Sequence, residues 1–345
     1  MTDHTAWRAV ADLYHGLFTG LILRAVVQRS PGDAADLVRR TFRRQHHQRF
    51  LPGLRKLGLS GLPDAIAAAQ YHYLSNRIGG VSVEFMPESD RKAWVRFPPP
   101  RWVWRDIAIC GIPSEVSTAF LLGWQAHNGV SLGNPRLGFV CTKQTVDGQP
   151  GLEGYFLEHD HDLAPEERLR FAREEEAPDF DPALAPTLDP AEWPSDRLAK
   201  AHRNYAMEYV RSSWPEAIQL FGHDTALFIA GGAARLVAMQ LYHKIAAELG
   251  TSGATDAAGF GDFLTRLAAA QDDSVTIVHT GDATIIRQDR WRLMDGNPAM
   301  RGPVADIWTC LLEGALSAHN RRLSLRRTDE LAWTITPRSA HPPRQ

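Results

Sequence analysis

The stretch PSEVSTAFLLGWQAHN, Pro113 to Asn128, decides the reading of the whole chain, because PVADIWTCLLEGALSAHN, Pro303 to Asn320, follows the same plan. In both, a proline opens a helical pattern, the middle is apolar, and Ala-His-Asn closes it, so that His127 answers to His319 and Asn128 to Asn320. Proline suits a first helical turn, where its missing N–H costs nothing, and asparagine is a common terminator because it tolerates the left-handed conformation.

Outward from these two stretches the elements match in kind and order. Before the first copy, apolar residues spaced by three and four predict helices over Leu13 to Gln28, from Ala34 onward after the Ser30-Pro31-Gly32-Asp33 break, and through Ile66, Ala69, Tyr73 and Leu74. The period then changes to two, predicting a hairpin from Val81–Phe85 and Ala93–Phe97, and past Asn128 a second from Leu137–Thr145 and Leu152–Glu158. Leu163 to Lys200, rich in proline and acids, reads as a linker. The second half predicts helices over Tyr205–Leu220 (broken near Trp214-Pro215), Asp224–Leu249 and Phe260–Ala270, and a hairpin from Val275 to Met294 around a Gly281-Asp282 turn. The Pro303 helix and a last hairpin, Leu323–Leu325 with Leu331–Ile335, follow. The expected fold is α/β in the α+β sense, an internally duplicated helix-helix-helix-hairpin-helix-hairpin unit with antiparallel sheets covered by helices. The first unit is placed at 1–162 and is expected to carry the active site; the linker is 163–200, the second unit 201–338 and a tail 339–345.

At 345 residues and 44% hydrophobic, the chain is long enough for two units with buried cores. A formal charge of -2 gives no global attraction to nucleic acid or to an anionic membrane. Arg39, Arg40, Arg43, Arg44 and the pair His46-His47 can be read as an anion-binding face, or more simply as the solvated face of a long helix. No apolar run is read as a membrane span, and the start is unlike a signal peptide, so cytoplasmic residence is expected. Cys110, Cys141 and Cys310 lie far apart without CxxC spacing, which suggests neither a disulfide framework nor a zinc ribbon. Nucleophile-elbow, HExxH and Walker sequences are absent.

An amphipathic helix feeding a two-stranded ribbon that ends in an aromatic strand, LRRTDELAWTI, resembles the group formed by 4-vinyl-reductase domains and 2-amino-thiazoline-4-carboxylate hydrolases, here as two copies covering nearly the whole chain. In that group a cysteine stands just before the helix between the hairpins, where this chain has Cys110 in CGIPSE; the second half has Met300-Arg301-Gly302 there instead, and the late strand cysteines of the hydrolases are missing. The resemblance implies a small-molecule pocket between an antiparallel sheet and its helices.

Five groups of residues carry candidate chemistry. Cys110, before a helix N-terminus, is a nucleophile if the helix potential lowers its thiol pKa, or else an inert buried thiol. His127 can serve as general base, with Asn128 orienting a substrate and Trp124 as an apolar wall; the competing reading is a helix-capping His-Asn pair. Glu153, sharing a strand face with Tyr155, is a candidate acid/base if held in an apolar pocket, or a solvated carboxylate. His72 is a substrate contact or a packed core histidine. In the run Glu158 to Asp162, His159 and His161 share a strand face and can chelate a metal only with a third ligand from elsewhere; otherwise no cofactor is indicated.

These readings favour a hydrolase or lyase that cleaves a small aromatic or heterocyclic metabolite without redox chemistry, using Cys110, His127 and Glu153 as catalytic residues. The alternatives are a vinyl-reductase-like ligand-binding or sensor module and a metal-dependent lyase. The expected partner is a small-molecule substrate, with no nucleic acid or membrane, and a homodimer is compatible.

Overall fold

A computed structural model describes residues 3–281 and 283–338; Asp282 of the expected turn and the expected tail lie outside them. The chain forms two compact units, one of residues Ala25–His202 and one joining the chain up to Arg24 with the chain from Arg203 onward. The boundaries fall inside two helices, α1 (Asp3–Gln28) and α6 (Ser195–Phe221).

Residues 25–202 contain α2 (Pro31–Lys56), α3 (Asp64–Ile78), β1 (Glu84–Ser89), β2 (Lys92–Phe97), α4 (Ser114–Gly123), α5 (Asn128–Leu132), β3 (Leu137–Lys143), β4 (Leu152–Glu158) and β5 (Leu169–Phe171). Ser30 caps α2, its hydroxyl accepting from the Asp33 N–H at 3.0 Å. The sheet order is β1-β2-β4-β3-β5, antiparallel except for the β3–β5 pair. β5 lies within the expected linker, which therefore joins the sheet.

Period-two alternation gives this sheet two distinct faces. On the helix side Phe85 meets Tyr73, Phe139 meets Phe156, and Phe156 meets His72. On the other side Met86, Trp94, Val140 and Tyr155 form an apolar cluster covered by Ala172, Ala177 and Phe180. Lys143 ties that cover down, donating to the Arg173 and Glu175 carbonyls at 2.9 and 2.8 Å. α4 crosses α2 at Gly123, where a Cβ would stand 2.7 Å from the Phe42 Cβ and 2.8 Å from the Arg39 carbonyl oxygen.

The other unit contains α7 (His223–Ala226), continued by one π-turn into α8 (Gly232–Glu248), then α9 (Ala257–Ala270), β6 (Ser274–Thr280), β7 (Ala283–Arg290), α10 (Arg301–His319), β8 (Leu323–Asp329) and β9 (Ala332–Pro337). α6 runs unbroken through Pro215, where a break was expected. Its sheet order is β6-β7-β9-β8, all antiparallel. This is the order of β1-β2-β4-β3, and α10 crosses α8 at Gly314 much as α4 crosses α2 at Gly123. The fold class expected from the sequence, antiparallel sheets packed against helices, is the one observed. By length and composition alone, Asp3–Gln28 and His223–Glu248 are apolar enough to cross a membrane, which the sequence reading passed over; 61% of the qualifying stretch of α1 is buried, as in a core helix.

Between α9 and β6 sits Asp273, whose Oδ1 accepts the Arg292 N–H at 2.8 Å while its buried Oδ2 has no hydrogen-bond partner among the described residues. Burial pushes this carboxyl up to about 6, against a partial offset from Arg292. An acid whose folded pKa is raised binds its proton more tightly when folded, so stability declines as pH rises from the ordinary carboxylate range to about 6 and stays lowered above it. The cost above pH 6 is on the order of 2–3 kcal/mol. Asp273→Asn is therefore expected to gain thermal stability relative to the natural chain as pH is raised from 4 to 7, measured as the difference in Tm at each pH; a difference constant with pH contradicts it.

Candidate functional site

The site is built on the buried stripe of α2, where Val38, Thr41, Phe42, Gln45, His46 and Phe50 recur at helical spacing. His46 is the one histidine in that stripe and is fully buried. Its ring stacks on Phe50 at 4.7 Å and meets Trp124 edge-on at 5.5 Å. From α3, His72 enters the same region, stacked on Phe156 of β4 at 5.3 Å.

Between the two imidazoles lies Asn128, also fully buried. Its Oδ1 stands 3.0 Å from His46 Nε2 and its Nδ2 3.0 Å from His72 Nε2. An amide oxygen only accepts and an amide nitrogen only donates, so this geometry fixes both tautomers. His46 carries its proton on Nε2 and keeps a bare lone pair on Nδ1; His72 accepts at Nε2. Burial lowers both histidines to about 3, so both are neutral near neutral pH.

His46 Nδ1 is buried and has no hydrogen-bond partner among the described residues. Beside the His46 ring stand the rings of His127, half-buried, at 5.1 Å and of His47, exposed, at 6.1 Å, with the Nε2 atoms of these two 3.0 Å apart. Burial, then the charges of Arg43, His47 and Arg168, lower His127 to about 4. The ligating atoms of His46, His47 and His127 all lie within 4.8 Å of one another. Trp124, stacked parallel to Tyr71 at 6.5 Å, walls the cluster, and its buried Nε1 has no hydrogen-bond partner among the described residues either.

The Ala-His-Asn stretch reaches this position because it does not end its helix as expected. α4 stops at Gly123, a 3-10 turn spans Gln125–His127, and Asn128 opens α5, which stops at Gly133 in the left-handed conformation. In the other unit α10 does end at His319, with Asn320 extended rather than left-handed. There His319 is satisfied at both nitrogens, by the Tyr242 hydroxyl at 2.5 Å and the Asp256 carbonyl at 2.7 Å. The two tripeptides therefore differ in kind: one is saturated with partners, the other leaves a buried lone pair open.

The structure brings His127, Trp124, Asn128 and His72 together, and does not bring the other candidates to them. Tyr155 and Glu153 alternate with Phe156 and so lie on the opposite sheet face from His72. Glu153 is buried, accepting from the Thr142 hydroxyl at 2.7 Å with Arg96 at 3.6 Å. The Tyr155 hydroxyl donates to Glu175 at 3.0 Å, under the 172–180 cover, and burial raises its pKa. Cys110 is exposed in the 3-10 turn Asp106–Gly111 rather than buried. The His159 and His161 rings are neighbours at 5.7 Å, but neither belongs to the histidine set above. The α2 arginines are engaged locally: Arg39 and Arg40 pair with Asp36, and Arg43 donates to the Leu122 and Gly123 carbonyls at the end of α4. A shallow groove of about 560 Å³ runs between α2 and α4, lined by Asp36, Arg39, Glu115, Thr118 and Leu122 among others, and none of its lining residues is a histidine.

Sequence reasoning missed His46 and His47, absorbing them into the basic face. The available signal was a histidine four residues from Phe42 and four from Phe50, a polar group on an apolar stripe. Compared with protein-family models, curated proteins and solved structures, the chain matches none.

Proposed function

We propose that the chain is an enzyme cleaving a small aromatic or heterocyclic molecule by hydrolysis or another non-redox route, at the histidine cluster of residues 25–202. The observation that carries this reading is the open lone pair of His46 Nδ1, held bare and buried by Asn128 beside the neutral His127. Lone pairs of neutral imidazoles positioned in this way are what activation of water requires. Trp124 supplies a flat apolar wall for a ring, and the vinyl-reductase and thiazoline-hydrolase resemblance implies a small-molecule pocket between such a sheet and its helices. Single-unit duplication fits the shared strand order and the paired glycine crossings, with the unit of α10 serving as scaffold.

His127→Ala is expected to lower turnover of aromatic and heterocyclic amides and thiazolines at least about 100-fold, measured across a substrate panel, with unfolding midpoints checking that the variant is folded. Turnover left intact contradicts the assignment. A second reading, a ligand-binding module without chemistry, is favoured by one fact: Cys110, Glu153 and Tyr155 stay apart from the cluster. It predicts that such ligands bind the natural chain unchanged and that His127→Ala weakens their binding.

A further inference from the structure

We propose that His46 Nδ1, His47 Nε2 and His127 Nε2 are the protein ligands of one divalent transition-metal ion, with Asn128 and His72 fixing the orientation of His46 from behind. The inference rests on reading this cluster as the functional site, and deepens it.

Three observations carry it. One ring nitrogen from each of the three histidines lies within 4.8 Å of the others, and the Nε2 atoms of His47 and His127 are 3.0 Å apart. Bonds of about 2.0–2.1 Å to a tetrahedral ion place ligand nitrogens about 3.3 Å apart, so small side-chain rotations complete the set. The second observation is the tautomer. A metal-binding histidine usually donates its other ring N–H to an oxygen acceptor, which fixes the ring and makes the ligating nitrogen more basic. His46 does this through Nε2–H to Asn128 Oδ1 at 3.0 Å, and Asn128 is itself anchored to His72 at 3.0 Å. The third is cost. A buried acceptor with no partner is destabilising by about 1–3 kcal/mol, and Nδ1 of His46 is such an atom. A metal ion removes that cost.

The donor set also selects the metal. Three imidazole nitrogens and no carboxylate suit zinc, cobalt, nickel or copper and discriminate against magnesium and calcium. Three protein ligands leave a fourth position open, and exposed His47 places it toward solvent.

The test uses the full chain without a histidine tag, stripped with chelator and titrated with Zn²⁺ by calorimetry and with Co²⁺ by visible absorption. One equivalent of each is expected to bind, Co²⁺ giving the intense bands of tetrahedral coordination, while Mg²⁺ and Ca²⁺ do not bind. His46→Ala and His127→Ala are each expected to weaken Zn²⁺ binding at least about 100-fold. His47→Ala, at an exposed position that does not threaten folding, is expected to lose the tetrahedral cobalt spectrum. Replacing Asn128 with alanine is expected to weaken binding about 10–100-fold. No stoichiometric binding by the natural chain, or binding unchanged in His47→Ala and His46→Ala, overturns the proposal. If His127→Ala abolishes turnover in a protein that binds no metal, the metal assignment fails while the functional reading stands; metal binding with turnover indifferent to all three substitutions reverses that outcome.

Discussion

Asn128→Leu is expected to lower the unfolding free energy by about 4 kcal/mol, because one substitution strands two buried imidazoles. Leucine nearly matches asparagine in shape, so little of the effect comes from lost volume. The loss comes from His46 Nε2–H, which no longer has an acceptor, and His72 Nε2, which no longer has a donor, each of them buried. An unsatisfied buried polar group costs about 1–3 kcal/mol, and the two together dominate anything leucine gains in apolar contact. The second Ala-His-Asn supplies the control. Asn320 donates to the Thr255 carbonyl and accepts from the Arg322 N–H, both at 2.8 Å, near the surface where water can substitute. Asn320→Leu is expected to cost only about 1 kcal/mol. Urea unfolding midpoints of the two variants check the pair; equal losses contradict the special burial of the first site.

Gly314→Ala is the second large effect, with an expected loss of about 2 kcal/mol after two opposing terms are weighed. Alanine is the better helix former by about 1 kcal/mol. Against that, its Cβ would stand 2.2 Å from the Arg235 carbonyl oxygen and 2.9 Å from the Arg235 Cα, both backbone atoms of α8. Backbone cannot rotate aside as a side chain can, so the two helices must separate, at about 3 kcal/mol or more. The clash wins, and Tm is expected to fall by about 5 °C. Gly123→Ala, which meets the Arg39 carbonyl at 2.8 Å, is expected to act in the same direction with smaller size. A Tm unchanged or raised in Gly314→Ala contradicts the close crossing.

The helices and the first hairpin were legible because their patterns persist: three-and-four spacing across α2 and α3, and apolar residues at every second position, Ala93, Val95 and Phe97, through β2. β5 was not, since Leu169, Arg170 and Phe171 are too few to show a period and stand in a proline-rich segment. α6 was read as broken at Pro215, yet Trp214, Pro215 and Ala217 are all buried there. A proline inside a helix costs about 3 kcal/mol, and burial of that magnitude offsets it. For the site, period two correctly set Glu153 with Tyr155, but which sheet face the helices cover is decided by tertiary packing, which placed His72 against Phe156 instead. His46 and His47 went unread because four arginines nearby gave their segment the look of a solvated surface, while helical geometry turns His46 inward and His47 outward.

The central claim is that Asn128 holds His46 with a proton on Nε2 and a free lone pair on Nδ1. Long-range ¹H–¹⁵N correlation spectra of metal-free protein labelled at histidine report this directly, since protonated and bare ring nitrogens resonate far apart. A bare Nδ1 and protonated Nε2 are expected for His46, with His72 bare at Nε2. The opposite tautomer at His46, or an imidazolium at either residue near neutral pH, would contradict it.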